Sequence, residues 1–314
     1  MPIEEIRAKN LRWVNITNVK SMRGPEINFL KKNFNFHPIN LEDCKAEGQR
    51  PKIDIHRGHF FLVMLYPVYN RDSGEIVSRE IDFFVGKDYI VTVHDNRMPV
   101  IVQLYNHLKK QKNSREKNEF LSNNVILVLY EMLNKLISHS FPMLDHISKD
   151  LHRAENNIFQ GREKQLVEQI LSSRRNIVNY RKSMSAHKNI LKKLSQANRA
   201  IKLFEPSTAD VYFNSLIDKA KDIWDTLESF KESIEALHDT NESLISFRLN
   251  QIMKYFTTIS VVIFALTLIA TIFSIKAPGT PFLNWPLGFW LIILVETIIA
   301  SLTLYYFKKK RWME

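Results

Sequence analysis

Cysteine is all but absent from this chain: Cys44 is the one residue of its kind in 314. A lone thiol excludes an internal disulfide framework and any zinc site built from several cysteines, and it suits a reducing compartment. Glycine is scarce as well, with 8 residues, and none forms a phosphate-cradling loop. No nucleophile motif and no metal cluster stands out, so no enzyme is expected, and no cofactor. His37, His56, His59 and His94 lack metal-ligand spacing and, with Cys44, read as structural or surface residues. Acid is outnumbered, giving a net charge of +11. The sequence carries no recognition-helix pattern, RNP-type motif or zinc finger, so nucleic acid is not the expected partner. The opening MPIEEIRAKN has no apolar run, which predicts no cleavable signal peptide.

What the chain does have is two long apolar runs. Tyr255 to Ile275 carries no charge, and Leu287 to Phe307 carries only Glu296. About 20 apolar residues at ~1.5 Å rise cover the ~30 Å hydrocarbon core of a bilayer. Both runs are predicted to span a membrane. The linker KAPGTPFLNWP holds three prolines and must lie outside the bilayer, since only continuous helices satisfy their own backbone groups in lipid. Lys254 precedes the first span, and Lys308, Lys309, Lys310 and Arg311 follow the second. The linker has Lys276 alone, so the positive-inside rule puts both termini in the cytoplasm. Trp285, Trp290, Tyr305, Tyr306 and Trp312 sit near the span ends, where aromatic belts form.

The preceding chain divides in two. Strand patterns occupy 10–19, 59–69, 79–85 and 88–94, with short helices over 27–34 and 37–43. They predict a mostly antiparallel sheet with helices on its faces, an α/β domain. From Asn96 on the pattern is helical: one helix over 98–112, a long one over 120–159 kinked at Pro142, and another over 162–203. Pro206 ends that run, and Ser207 or Thr208 caps the next helix. In it Phe213, Leu216, Ala220, Ile223, Leu227, Phe230, Ile234 and Leu237 alternate spacings of three and four, a coiled-coil seam. Leu166, Ile170, Ile177, Tyr180, Met184, Leu191 and Leu194 form a weaker partner seam. No Pro or Gly interrupts Thr208 to Ile275. One helix of roughly 100 Å is predicted to enter the membrane without a hinge.

That order of parts resembles the CorA family of divalent-cation (magnesium) transporters. His37-Pro38-x-x-Leu41-Glu42-Asp43 followed by Gln49-Arg50-Pro51-Lys52 is similar to an early stretch of that family. Phe61-Leu62-Val63 and Tyr89 to His94 resemble its sheet strands. Asn250-x-x-Met253-Lys254 resembles its stalk-to-membrane junction, and Tyr306 to Trp312 its basic terminus. The resemblance implies a homopentameric funnel in the cell membrane, self-associated within the lipid bilayer, that transports divalent cations (Mg²⁺, or Co²⁺, Ni²⁺ or Zn²⁺). Its parts would be an α/β cytoplasmic domain (1–96), a helical region (97–206), a stalk (207–254), a first span (255–275), an outer loop (276–286), a second span (287–307) and a tail (308–314). The implied pore row is Asn250, Met253, Phe256, Phe264, Thr267 and Thr271. Acidic residues between cytoplasmic domains bind the cation in the family, and Asp210, Asp218, Asp222 and Asp225 are candidates.

At the mouth the sequence departs from the family. The Gly-Met-Asn signature falls on Ser274, Ile275 and Lys276, with lysine at the cation-binding asparagine, and the outer loop has no acid. Mg²⁺ sheds water reluctantly and is held through its hydration shell by oxygens, whereas an ammonium offers donors only. Five such groups would repel a divalent ion unless each lysine snorkels away or Thr280, Asn284 or loop carbonyls supply oxygens instead. Two readings therefore stand: a divalent-cation transporter with a divergent filter, or a non-conducting scaffold or regulatory paralogue. Glu296, near the middle of the second span, costs at least ~2.5 kcal/mol in lipid and is a candidate proton relay, metal site or partner of a first-span threonine.

Overall fold

The structure, a computed structural model, describes residues 3–7, 11–17, 19, 24–45, 48–110, 120, 124–160, 163–201, 205–275, 281 and 285–310. Lys276, Thr280, Asn284, Arg311 and Trp312 lie outside the described residues. The chain divides into two compact units, Met1–Leu237 and His238–Glu314.

The first unit is built on a six-stranded sheet of β1 (Ile3–Arg7), β2 (Arg12–Thr17), β3 (Lys52–His56), β4 (His59–Asn70), β5 (Glu75–Gly86) and β6 (Tyr89–His94). Their order is β1-β2-β6-β5-β4-β3. All neighbours pair antiparallel except β2 and β6, which run parallel with Trp13 opposite Ile90. Side chains on a strand alternate faces. Val14, Ile16, Phe61, Val63, Val91 and Val93 therefore share one face, where they bury against Ile27 and Leu30 of α1 (Pro25–Phe34) and Leu41 of α2 (Pro38–Asp43). Trp13 points the other way and meets Tyr105 of α3 (Pro99–Lys110) edge-on, ring centroids 5.0 Å apart. The α/β expectation holds, with helices on both faces.

Four histidines lie on or beside the sheet. His94 Nδ1 accepts from Asn96 N at 3.1 Å, so its Nε2 carries the proton it donates to Asn15 Oδ1 at 3.0 Å. Thr92 donates to the same oxygen and accepts from Trp13 Nε1, which ties the parallel pair together. The rings of His37, His56 and His59 lie near-parallel along the sheet edge. Among the described residues no three His, Cys, Asp or Glu side chains are arranged to hold a metal ion.

The structure corrects three expectations. The run over 120–159 is not one kinked helix: among the described residues α4 (Val125–Ser138) ends and α5 (Phe141–Asn157) begins afresh, with Pro142 in its first turn, where a missing N–H costs nothing. The run over 162–203 is also two helices, α6 (Glu163–Met184) and α7 (His187–Ile201). No proline or glycine marks that join. Beside it, Ser183 Oγ lies 2.6 Å from Ser78 Oγ, Ser185 Oγ bonds back to Lys182 O, and His187 is sealed in the core. The third correction is the sheet edges, β1 and β3, which the strand patterns did not mark.

Burial pulls the His187 pKa down to about 4, against a weaker opposite pull from the backbone at Met184 and Ser183. A lowered histidine pKa stabilises the fold above the unfolded value of 6.5 and loses that contribution as pH falls toward 4. Thermal melts of the full chain should therefore fall through this window. Replacing His187 with Leu should cut the loss between about pH 8 and pH 5 by about 2 kcal/mol. An identical acid limb in the variant would contradict this.

α8 (Pro206–Ser274) is unbroken, as the sequence predicts. Phe213, Leu216, Ala220, Ile223, Leu227 and Ile234 are all buried, and so is the partner seam from Leu166 to Leu194 on α6 and α7. The two runs are antiparallel. Arg181 pairs with Glu228 while its guanidinium covers the Trp224 ring at 4.9 Å, and Arg199 pairs with Asp210 at 2.7 Å.

Candidate transport pathway

The second unit holds the end of α8 and the whole of α9 (Gly288–Lys309). Both helices are long and apolar enough to cross a membrane, and only 6% of each apolar window is buried. A core helix of a soluble protein would be mostly covered. Bare apolar surface of this extent marks contact with lipid or with other copies.

The implied pore row is open on this surface. Met253, Phe256 and Phe264 are 62%, 64% and 74% exposed, and Asn250, Thr267 and Thr271 are exposed too. Ser274 closes α8, Ile275 follows it exposed, and Lys276 falls outside the described residues. Below the span, Asp239, Glu242, Ser243, Ser246, Phe247 and Asn250 line a shallow open hollow. Its polar groups include two carboxylates, and none of the described lining residues is a lysine or arginine.

The threonine hydroxyls have a defined job. Thr267 Oγ1 donates to Ile263 O at 2.8 Å and Thr271 Oγ1 to Thr267 O at 2.6 Å. Thr257, Thr258, Thr297 and Thr303 bond back in the same way. A hydroxyl whose proton is spent on its own helix keeps oxygen lone pairs for a donor. The water shell of a divalent cation turns its protons outward, so such oxygens suit a hydrated ion.

Two sequence candidates fare differently. Asp210 is committed to Arg199 and to Ser195 Oγ at 2.7 Å, and those bonds hold its carboxyl below the usual range. Asp218, Asp222 and Asp225 stay exposed. Glu296 Oε1 is enclosed and has no hydrogen-bond partner among the described residues.

One pattern on α8 escapes residue-by-residue reading. Every seventh residue from Asp218 gives Asp225, Glu232, Asp239, Ser246, Met253, Ser260, Thr267 and Ser274. All of them are exposed, and all but Met253 carry a side-chain oxygen. A strict seven-residue repeat stays on one face when helices supercoil left-handed. On a straight helix such a row drifts by about 20° per heptad, so it forms one oxygen-bearing stripe where α8 supercoils against copies of itself.

Comparison with known proteins follows the same order of parts. The model of a family described as CorA-like Mg²⁺ transporter protein matches residues 8–309. The cobalt/magnesium transport protein CorA of Thermotoga maritima is 26% identical over 301 residues, which is 96% of this chain and 83% of that one. The complete structure of the CorA magnesium transporter from Methanocaldococcus jannaschii superposes with a TM-score of 0.81 at 20% identity, over 96% of this chain and 92% of that one. Full-length CmaX gives a TM-score of 0.69 at 19% identity, over 96% and 89%.

Proposed function

The chain belongs to the CorA-like Mg²⁺ transporter family, and on that premise we propose that five copies form a ring whose α8 helices line a path for divalent cations. One hairpin cannot enclose a pore, and a closed ring of identical chains is the economical solution. Residues 1–96, 97–206 and 207–254 lie in the cytoplasm as sheet domain, helical region and stalk. Residues 255–275 and 287–307 cross the cell membrane, with both termini inside. The chain is a transporter and not an enzyme.

The exposed oxygen-bearing row on α8 supports this reading best. Its cytoplasmic part, Asp218, Asp225, Glu232 and Asp239, puts four rings of carboxylates below the membrane and raises the local cation concentration. Asn250, Met253, Phe256, Phe264, Thr267 and Thr271 line the membrane stretch, and Ser274, Ile275 and Lys276 stand at the mouth. The ion is Mg²⁺ or a relative such as Co²⁺, Ni²⁺ or Zn²⁺, passing largely hydrated. Replacing Asp225, Glu232 and Asp239 with their amides should lower flux several-fold at about 0.01 M salt and little at about 1 M, where the Debye length shrinks to about 3 Å. An equal loss at both salt concentrations would contradict electrostatic focusing.

Glu296 lies on α9, off this path. Glu296→Gln should leave flux and its pH profile within about twofold, since neither form has a partner at the enclosed oxygen. A pH dependence abolished by the change would instead put a proton relay there. The second reading, a non-conducting ring, draws its support from Lys276, which a scaffold tolerates and a cation filter resists.

A further inference from the structure

Ser260 is the member of the α8 row that neither the resemblance nor the apolarity of the span singles out. It is exposed, seven residues from both Met253 and Thr267. The hydroxyls of Thr257, Thr258, Thr267 and Thr271 on the same span all bond to their own backbone. Ser260 Oγ makes no such bond and has no partner among the described residues. A hydroxyl left unbonded toward acyl chains forfeits a hydrogen bond that helix backbone offers one turn away. It keeps its proton free at little cost only where water reaches it.

Its neighbours sharpen the point. Phe256 and Phe264 lie four residues to either side, on the same ridge of the helix, and both rings stand out from it. In a ring of five copies each phenylalanine layer is an apolar constriction that tends to dewet. Ser260 falls between them, about 6 Å from each along the axis at ~1.5 Å per residue.

We propose that Ser260 forms a ring of free hydroxyls that keeps water between two phenylalanine constrictions, and so sets how easily a hydrated divalent cation passes from one to the next. The proposal rests on the transport reading and adds to it a lining residue with a role of its own. A serine hydroxyl serves this role better than a threonine one here. It both donates to and accepts from water, while the threonines of this span have spent their protons.

The test pairs flux with chemical accessibility in the full chain, reconstituted in lipid. Ser260→Ala should lower Mg²⁺ or Co²⁺ flux about fivefold, the weight of one net hydrogen bond on a barrier. Ser301→Ala, which removes an exposed hydroxyl on α9, should leave flux unchanged. In parallel, Ser260→Cys should react with a charged, membrane-impermeant methanethiosulfonate, and Ser301→Cys should not. The labelling is done in a Cys44→Ser background, because the native thiol, though pushed up by burial and by Asp82, is only partly covered. Unchanged flux in Ser260→Ala would overturn the proposal, as would a Ser260→Cys thiol as unreactive as the Ser301→Cys control. Should the unaltered protein carry no ion at all, the transport reading fails by itself. The labelling then decides for Ser260: reaction keeps its water-facing placement and silence overturns it.

Discussion

Replacing Lys276 with asparagine should raise divalent-cation flux tenfold to a hundredfold. Unit charges about 4 Å apart in water interact by about 1 kcal/mol, so five ammonium groups about 8 Å from a divalent ion oppose it by about 5 kcal/mol before screening. A Debye length near 8 Å at physiological salt removes nearly two thirds of that. What remains is about 2 kcal/mol on the entry barrier, at about 1.4 kcal/mol per factor of ten. The gain should shrink as salt rises. Lys276→Gln should mimic the asparagine and Lys276→Arg should not. Flux equal in all four proteins would mean that the lysines point away from the mouth into headgroups or solvent.

Ser243→Pro should uncouple the soluble unit from the membrane path. α8 runs from Pro206 to Ser274 without a break, and Ser243 is exposed on it, its hydroxyl bonded to Asp239 O. Proline there removes one backbone hydrogen bond and clashes with the carbonyl one turn back, at a cost of about 3 kcal/mol or more. Helix that no longer runs straight cannot carry a rotation or tilt from one end to the other. The unit Met1–Leu237 should melt as before, while flux stops responding to Mg²⁺ added on its side of the membrane. Ser243→Ala controls for the lost hydroxyl and should change stability by less than about 0.5 kcal/mol. If the proline protein is regulated like the unaltered one, α8 is a passive stalk.

The sequence made the membrane part and α8 plain because their signals are local. An apolar run needs no partner to be recognised, and the lack of Pro and Gly over nearly seventy residues leaves helix little competition. The seam from Phe213 to Leu237 was legible for the same reason. The strands β1 and β3 escaped because IEEIR and KIDIH are short and charged, as edge strands tend to be. The parallel pairing of β2 with β6 joins Trp13 to Thr92, far apart in sequence, and no local pattern announces it. The join between α6 and α7 lacks any breaker and comes from tertiary contacts around Ser183 and His187. At the site, Met253 and Thr267 entered through the resemblance, whereas Ser260 needed the seven-residue count. In an apolar stretch one serine looks incidental until its exposure and its unspent hydroxyl are seen together.

The most direct test of transport is divalent-cation flux into liposomes that hold the purified, unaltered protein, with its five-copy assembly checked by native mass spectrometry. Mg²⁺, Co²⁺, Ni²⁺ and Zn²⁺ are compared under one driving gradient. The account predicts pentamers that pass at least one of these ions, saturably and faster than protein-free vesicles. Intact pentamers that pass none of the four, with lysine or with asparagine at position 276, would contradict it and leave a membrane scaffold in its place.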